Sequence, residues 1–172
     1  FKGKISGIEY DRKYIFSEMG YNFIPSEIAG AFLLEQLKKL KNVITKRIKN
    51  FNTLNNFFIK SPNYFRTPIK NKATRSGWLA YPVLLKKNCG LSRTKLQIFL
   101  EQNGIQTRPI FSGNILRQPI MKKRIYKKSK FSNINSDDVM ENGLLIGCHH
   151  GLKKKEINHT LKTISRFIKE ST

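Results

Sequence analysis

Hydrophobic positions recur along residues 26–58 with the spacing of a helix. Ile28, Phe32, Leu37, Leu40, Ile44, Ile48 and Phe51 step by three, four or five residues, so they fall on one stripe of a 3.6-residue period. Lys38, Lys39, Lys46, Arg47 and Lys49 lie between them and belong on the solvated side. Ser26 can cap this helix, and Glu27 suits its positive end. The pattern predicts a buried stripe and a helix end near Phe58, before the segment KSPN. Such a helix is longer than the globular average and suits a bridge between two parts of a molecule.

The rest of the chain has shorter patterns. Residues 1–20 read as loop, with one extended piece around Tyr14–Phe16, and residues 61–76 read as a polar loop. GWLAYPVLL (77–85) has aromatic and aliphatic residues without a helical period, which predicts a strand; Pro82 places it at an edge or a bulge. LSRTKLQIFLEQNG predicts a helix capped by Ser92, with Leu96, Phe99 and Leu100 on one face and Gly104 as its stop. IQTRPIF (105–111) predicts a second strand, followed by a loop with the turn pair Gly113-Asn114 and Pro119. Residues 135–142 suit a short helix capped by Asn135 or Ser136, and GLLIGCHHG (143–151) a third strand. Ile157, Leu161, Ile164 and Ile168 mark one face of a final helix. Helices and three strands in alternation make a small α+β layer.

Composition adds a partner question. At 172 residues with 39% hydrophobic and 26% charged, the chain can bury a core. Its only cysteines, Cys89 and Cys148, make no disulfide framework and fit a reducing cytoplasm. The N-terminus lacks a secretory apolar region, and no apolar run reaches membrane-spanning length. A start at Phe1 instead of Met suggests a fragment or a processed product. Lys and Arg number 33 against 11 Asp and Glu, a net charge of +22. That excess suits a polyanion, either nucleic acid or a phosphorylated substrate. Equally, it can be lysine-rich solvated surface. The densest run, MKKRIYKKSK (121–130), has no recognised nucleic-acid module beside it. Neither GxGxxG nor GxxxxGK[ST] occurs.

Three groups of residues could carry chemistry. Cys148, His149 and His150 include metal-ligand types, but neighbours on a strand point to opposite faces and further ligands are needed. A nucleophilic cysteine needs a base within hydrogen-bond reach, which adjacency does not supply. A core cysteine with two histidines at a strand end is the simpler reading. Arg108 and Arg117 flank the Gly113-Asn114 turn. Guanidinium forks suit phosphate and carboxylate oxygens, although two surface arginines in a basic protein would look the same. Asn22 reads locally as a turn residue ahead of the helix cap.

Four segments occur in the order YIFSEMGYNFIPSEIAGAFLLEQLKKL, GWLAYPVLL, GIQTRPIFSGNILRQP and GLLIGCHHGL. Together they resemble the C-terminal part of the DegT/StrS family of pyridoxal-phosphate-dependent nucleotide-sugar enzymes. The resemblance covers essentially the whole chain and is nearest the 3-dehydrase branch, such as the CDP-4-keto-6-deoxyglucose 3-dehydrases of lipopolysaccharide sugar synthesis. Sugar aminotransferases carry His-Tyr and Pro-Leu-His patterns where this chain has RPIFSGNILRQP. The resemblance implies the type I aminotransferase fold: residues 1–25 ending a large domain, a linking helix over 26–60, and a small C-terminal α/β domain over 61–172. It implies a cytoplasmic homodimer in which Asn22 donates to the phosphate of pyridoxal (or pyridoxamine) 5'-phosphate in the neighbouring subunit.

The same resemblance places Arg108, Asn114 and Arg117 near a nucleotide-linked 4-keto sugar. The implied reaction is loss of the C3 hydroxyl in deoxysugar and surface-polysaccharide synthesis, with transamination at the same carbonyl as the alternative. A basic nucleic-acid-binding module is the reading from a different class. The family's catalytic Lys or His lies upstream of Phe1, so no catalytic residue is assigned and the chain alone is expected to be inactive. Some 3-dehydrases bind an iron–sulfur cluster through cysteines just before the segment matching YDRKY; residues 1–8 contain none.

Overall fold

The computed structural model describes residues 2–171 apart from 6, 12–14, 17, 22, 70, 72, 75 and 128–133. It divides into two compact units, residues 1–39 and 40–172, with the boundary inside the long helix. In the first unit, β1 (Lys2–Ile5) and β2 (Ile8–Asp11) pair antiparallel, with Ile5 opposite Ile8. This hairpin corrects the expectation of a loop. The signal for it is a Ser6-Gly7 pair between two short runs, and Gly7 takes the positive φ of +84° that such a turn needs. Of the extended piece expected near residues 14–16, Tyr14 lies outside the described residues, and Ile15 and Phe16 form no regular element.

Helix α1 spans Glu27–Ile59. The Ser26 hydroxyl accepts from the Ala29 N–H at 3.2 Å, and its carbonyl accepts from Gly30 at 3.0 Å, as an N-cap should. The apolar stripe does not share one fate. Phe51, Leu54 and Phe58 are buried, and Ile44 and Ile48 half-buried. Phe32, Leu37 and Leu40 are exposed, and Ile28 is 85% exposed. Burial of the whole stripe is therefore corrected: among the described residues, none covers its first half. Arg47, expected in solvent, is half-buried and donates to the Gly77 carbonyl at 3.4 Å.

The second unit holds a four-stranded antiparallel sheet in the order β3-β4-β6-β5. The strands are β3 (Phe65–Arg66), β4 (Ala80–Leu85), β5 (Thr107–Arg108) and β6 (Gly143–Gly147). The short β3 lies inside the segment expected to be loop. Pro82 sits opposite Leu145 and beyond the last pair with β3, Arg66–Leu84. Its missing N–H is thus not required there. Strand β4 alternates, with Tyr81, Val83 and Leu85 buried. Tyr81 faces Ile146 across the pair, and Val83 faces Leu144. This row and the buried end of α1 form the core. The rings of Phe58 and Tyr81 stack at 5.1 Å, and those of Phe51 and Trp78 at 4.2 Å. Tyr81 donates its hydroxyl to Asn55 Oδ1 at 3.1 Å, so the buried phenol and amide satisfy each other.

Helices α2 (Arg93–Gln102) and α4 (Lys154–Ser171) complete the core with Leu96, Leu100, Ile157, Ile164 and Phe167. Ser92 caps α2 by accepting from Lys95. Gly104, at φ +73°, ends it: Gly104 N–H bonds to Glu101 and Ile105 N–H to Leu100. That pair of bonds is a Schellman stop, which a residue with a Cβ makes only under strain. Helix α3 spans Ile134–Asn142, so Asn135 and Ser136 stand in its first turn and not at its cap.

Candidate functional site

Strand β5 fixes where Arg108 points. Thr107 pairs with Ile146 and shares the core-facing row of Tyr81, while Arg108 pairs with Leu145 and shares the opposite row with Pro82. Thr107 is held from behind: Glu101 Oε1 accepts from its N–H at 3.1 Å and its hydroxyl at 2.9 Å. Those two bonds lower the Glu101 pKa. The Arg108 side chain is exposed and makes no hydrogen bond or ion pair among the described residues, while its backbone belongs to the ladder with β6. It lines a shallow groove with Glu101, Gln106, Pro109 and Phe111. Phe111 is 88% exposed and takes a φ of +48°. A bulky aromatic in the left-handed region is uncommon.

The expected strand over 105–111 is therefore only two residues long. Pro109 follows and cannot extend the ladder. Past it the chain turns at Gly113, whose N–H bonds to Ile110 at 3.0 Å, and makes two short 3₁₀ turns, Ile115–Arg117 and Pro119–Lys123. Asn114 is buried and caps the first of these, its Oδ1 accepting from Leu116 at 3.0 Å.

Asn114 and Arg117 meet on one carboxylate. Asn114 Nδ2 donates to Asp137 Oδ1 at 2.7 Å. Arg117 donates through Nε to Oδ1 at 3.0 Å and through an Nη to Oδ2 at 2.8 Å, a bidentate fork. The Arg117 bond, then the Asn114 bond, pull the Asp137 pKa from its ordinary 3.8 to about 2. The next residue, Asp138, is buried and pairs with Arg66 of β3 while accepting from Asn142 at 2.7 Å. The sequence reading missed Asp137 and Asp138. The available signal was two adjacent acids in a chain with 11 acids against 33 bases.

The remaining candidates are placed as follows. Asn22 lies outside the described residues; its neighbours Tyr21 and Phe23 are exposed and stack at 5.7 Å. Cys148 is buried just past β6, with its thiol 3.6 Å from the Trp78 carbonyl. Burial pushes that thiol up to about 11, so it stays protonated near neutral pH. His149 and His150 follow it, both exposed; His149 Nδ1 accepts from Gly151 at 3.2 Å. Among the described residues, no three of His, Cys, Asp and Glu gather as a metal site. None of the described helices is long and apolar enough to cross a membrane. Lys122, Lys123, Arg124 and Lys127 of the basic run are exposed, and residues 128–130 lie outside the described ones.

A long helix feeding an antiparallel α+β layer, with a clamped loop after its edge strand, is the small domain of a type I aminotransferase fold. Residues 3–165 match the model of the DegT/DnrJ/EryC1/StrS aminotransferase family, and the chain belongs to that family. It is 28% identical over 158 residues to lipopolysaccharide biosynthesis protein RfbH of Salmonella typhimurium, covering 92% of this chain and 36% of that protein. It is 30% identical over 153 residues to GDP-4-keto-6-deoxy-D-mannose 3-dehydratase of Escherichia coli O55:H7, covering 86% and 38%. The solved structure of the E. coli GDP-4-keto-6-deoxy-D-mannose-3-dehydratase with bound hydrated PLP superposes with a TM-score of 0.76 at 30% identity, covering 94% of this chain and 42% of that one. The chain thus spans little more than a third of the length of the curated relatives it matches.

Proposed function

We propose that this chain is the C-terminal part of a cytoplasmic, homodimeric enzyme that removes the C3 hydroxyl of a nucleotide-linked 4-keto-6-deoxy sugar. The observation that carries the reading is the similarity to GDP-4-keto-6-deoxy-D-mannose 3-dehydratase, at 30% identity over 86% of the chain. In this reading residues 1–25 end the large domain, 26–60 form the linking helix and 61–172 the small domain.

Pyridoxamine 5'-phosphate would supply, when bound, the electron sink for loss of that hydroxyl. Within this chain, Asn22 is the residue proposed to hold it. An amide N–H donates to a phosphate oxygen without altering the charge of the site. The exposed rings of Tyr21 and Phe23 on either side suit a segment that packs against another surface. The exposed half of the α1 stripe has the same character and fits the dimer and the large domain as its cover.

Arg108 is proposed to meet the substrate's diphosphate, and the loop with Asn114 and Arg117 to wall the sugar side. An exposed guanidinium without an acidic partner among the described residues can form a fork with phosphate oxygens. The large net charge of +22 favours approach of such an anion.

The test is an Asn22→Ala variant of the full-length protein. Loss of one phosphate donor is expected to weaken cofactor affinity about tenfold. Unchanged affinity, or a full-length protein that is monomeric, contradicts the assignment.

A further inference from the structure

Resting on that reading, we propose that Asp137 is a positioning residue. It clamps the loop over residues 110–118 onto α3, so that Asn114 and Arg117 shape the sugar-side wall through the loop they hold, their polar atoms being spent on Asp137. The cationic and aromatic groups of the groove left to face the nucleotide are then Arg108 and Phe111, while Glu101 of the same groove accepts two bonds from Thr107.

The clamp has independent parts. Asp137 receives three donated hydrogen bonds from the loop, two from Arg117 and one from Asn114. A carboxylate accepts about four, so it has little left to offer a ligand. The Arg117 fork is already filled by a matched carboxylate. Releasing it toward a phosphate would leave Asp137 beside Asn114 without its counter-charge. Backbone packing points the same way. Gly113 sits at φ +60° against α3, where a Cβ would lie 2.5 Å from that of Met140. Ile110 packs onto Gly143, the first residue of β6 just past α3, where a Cβ would come 2.8 Å from its Cδ1. Gln118 closes the loop by donating to the Ser112 carbonyl at 3.1 Å.

Helix α3 is itself anchored, so the clamp is tied to the sheet and not to a mobile end. Asp138 joins Arg66 of β3, and the Glu141 carbonyl accepts from Arg93 of α2 at 3.2 Å. Between these fixed points, Phe111 is the residue that carries strain and exposure together. A left-handed Phe is strained and persists where its surroundings impose it. The imposed backbone sets an aromatic ring at the rim of the groove that Arg108 lines. An aromatic face beside a free guanidinium suits a nucleoside diphosphate, the ring for the base and the fork for the phosphates.

The experiment measures affinity of the full-length, cofactor-loaded protein for GDP, CDP, UDP and dTDP. It compares wild type with Asp137→Ala, Arg117→Gln, the double variant, Phe111→Ala and Arg108→Gln. Amide hydrogen exchange at Gly113 and Leu116 is followed in parallel. Asp137→Ala and Arg117→Gln are each expected to weaken the preferred nucleotide about tenfold and to speed exchange at those amides. The double variant should be no weaker than either single, because both break one clamp. Phe111→Ala and Arg108→Gln should weaken binding without changing the exchange.

If Arg117→Gln weakens binding while Asp137→Ala changes neither affinity nor exchange, Arg117 meets the ligand directly and the positioning role is overturned. Additive losses in the double variant overturn it as well. A wild type that binds none of the four overturns the nucleotide-sugar reading and this proposal together. Asp137→Asn, which keeps the volume and loses the charge, covers the case in which the alanine variant does not fold.

Discussion

The two halves of α1 carry the same hydrophobic period and end differently. Phe51, Leu54 and Phe58 disappear into a core with Tyr81 and Leu144, while Ile28, Phe32 and Leu37 stand exposed on the same element. Periodicity reports that a face asks to be covered. It does not say what covers it. In the second half the cover is the sheet of the same chain; in the first half it is proposed to be protein beyond this chain.

Substitutions distinguish the two halves. Phe58→Ala should cost about 3–5 kcal/mol in urea unfolding, because it opens a cavity between Tyr81 and Phe65. The same change at Phe32 should move the stability of the chain by less than about 0.5 kcal/mol. Equal losses at the two sites would show that both halves are covered from within.

In the full-length protein the first half gains its own effect. Leu37→Asp should weaken dimerisation by about 2 kcal/mol, near thirtyfold, seen in sedimentation. An unchanged dimer constant would place the dimer contact elsewhere.

Within the core, Tyr81→Phe tests polar satisfaction instead of volume. It leaves the buried Asn55 Oδ1 without its donor and should cost about 1–2 kcal/mol. A neutral result would mean that the amide finds another partner.

The smallest effect is expected at the loop clamp and is read by pH. The folded pKa of Asp137 is depressed to about 2. Its contribution is therefore present above the ordinary value of 3.8 and is lost as pH falls through about 2. The protection factor of the Leu116 amide, its exchange rate set against the intrinsic rate at the same pH, should fall across that window in wild type and stay flat in Asp137→Asn. A wild type flat over the same range contradicts the clamp.

Much of the framework is legible in the sequence because local chemistry and burial agree there. Ser26 and Ser92 cap their helices, Gly104 stops α2, and the alternation of Tyr81, Val83 and Leu85 marks a strand. What escaped depends on long-range contact. The β1–β2 hairpin and β3 are too short for a periodic signal. Strand β5 is cut to two residues by Pro109 and by its pairing partner, neither of which an apolar run reveals. Arg117 and Arg108 look alike in sequence. Only the fold brings Asp137, twenty residues away, to one of them. Asn22 has no distinguishing local chemistry at all, and its proposed role rests on the motif around it.

The full-length protein is proposed to remove an oxygen from its sugar. The direct measurement is a single turnover of GDP- and CDP-linked 4-keto-6-deoxyhexoses by that protein, with stoichiometric pyridoxamine 5'-phosphate as the two-electron donor and products read by mass spectrometry and NMR. The account predicts a nucleotide sugar that has lost its C3 hydroxyl and carries no amino group. A product aminated at C4 with its C3 hydroxyl intact, or no change in either sugar, contradicts it.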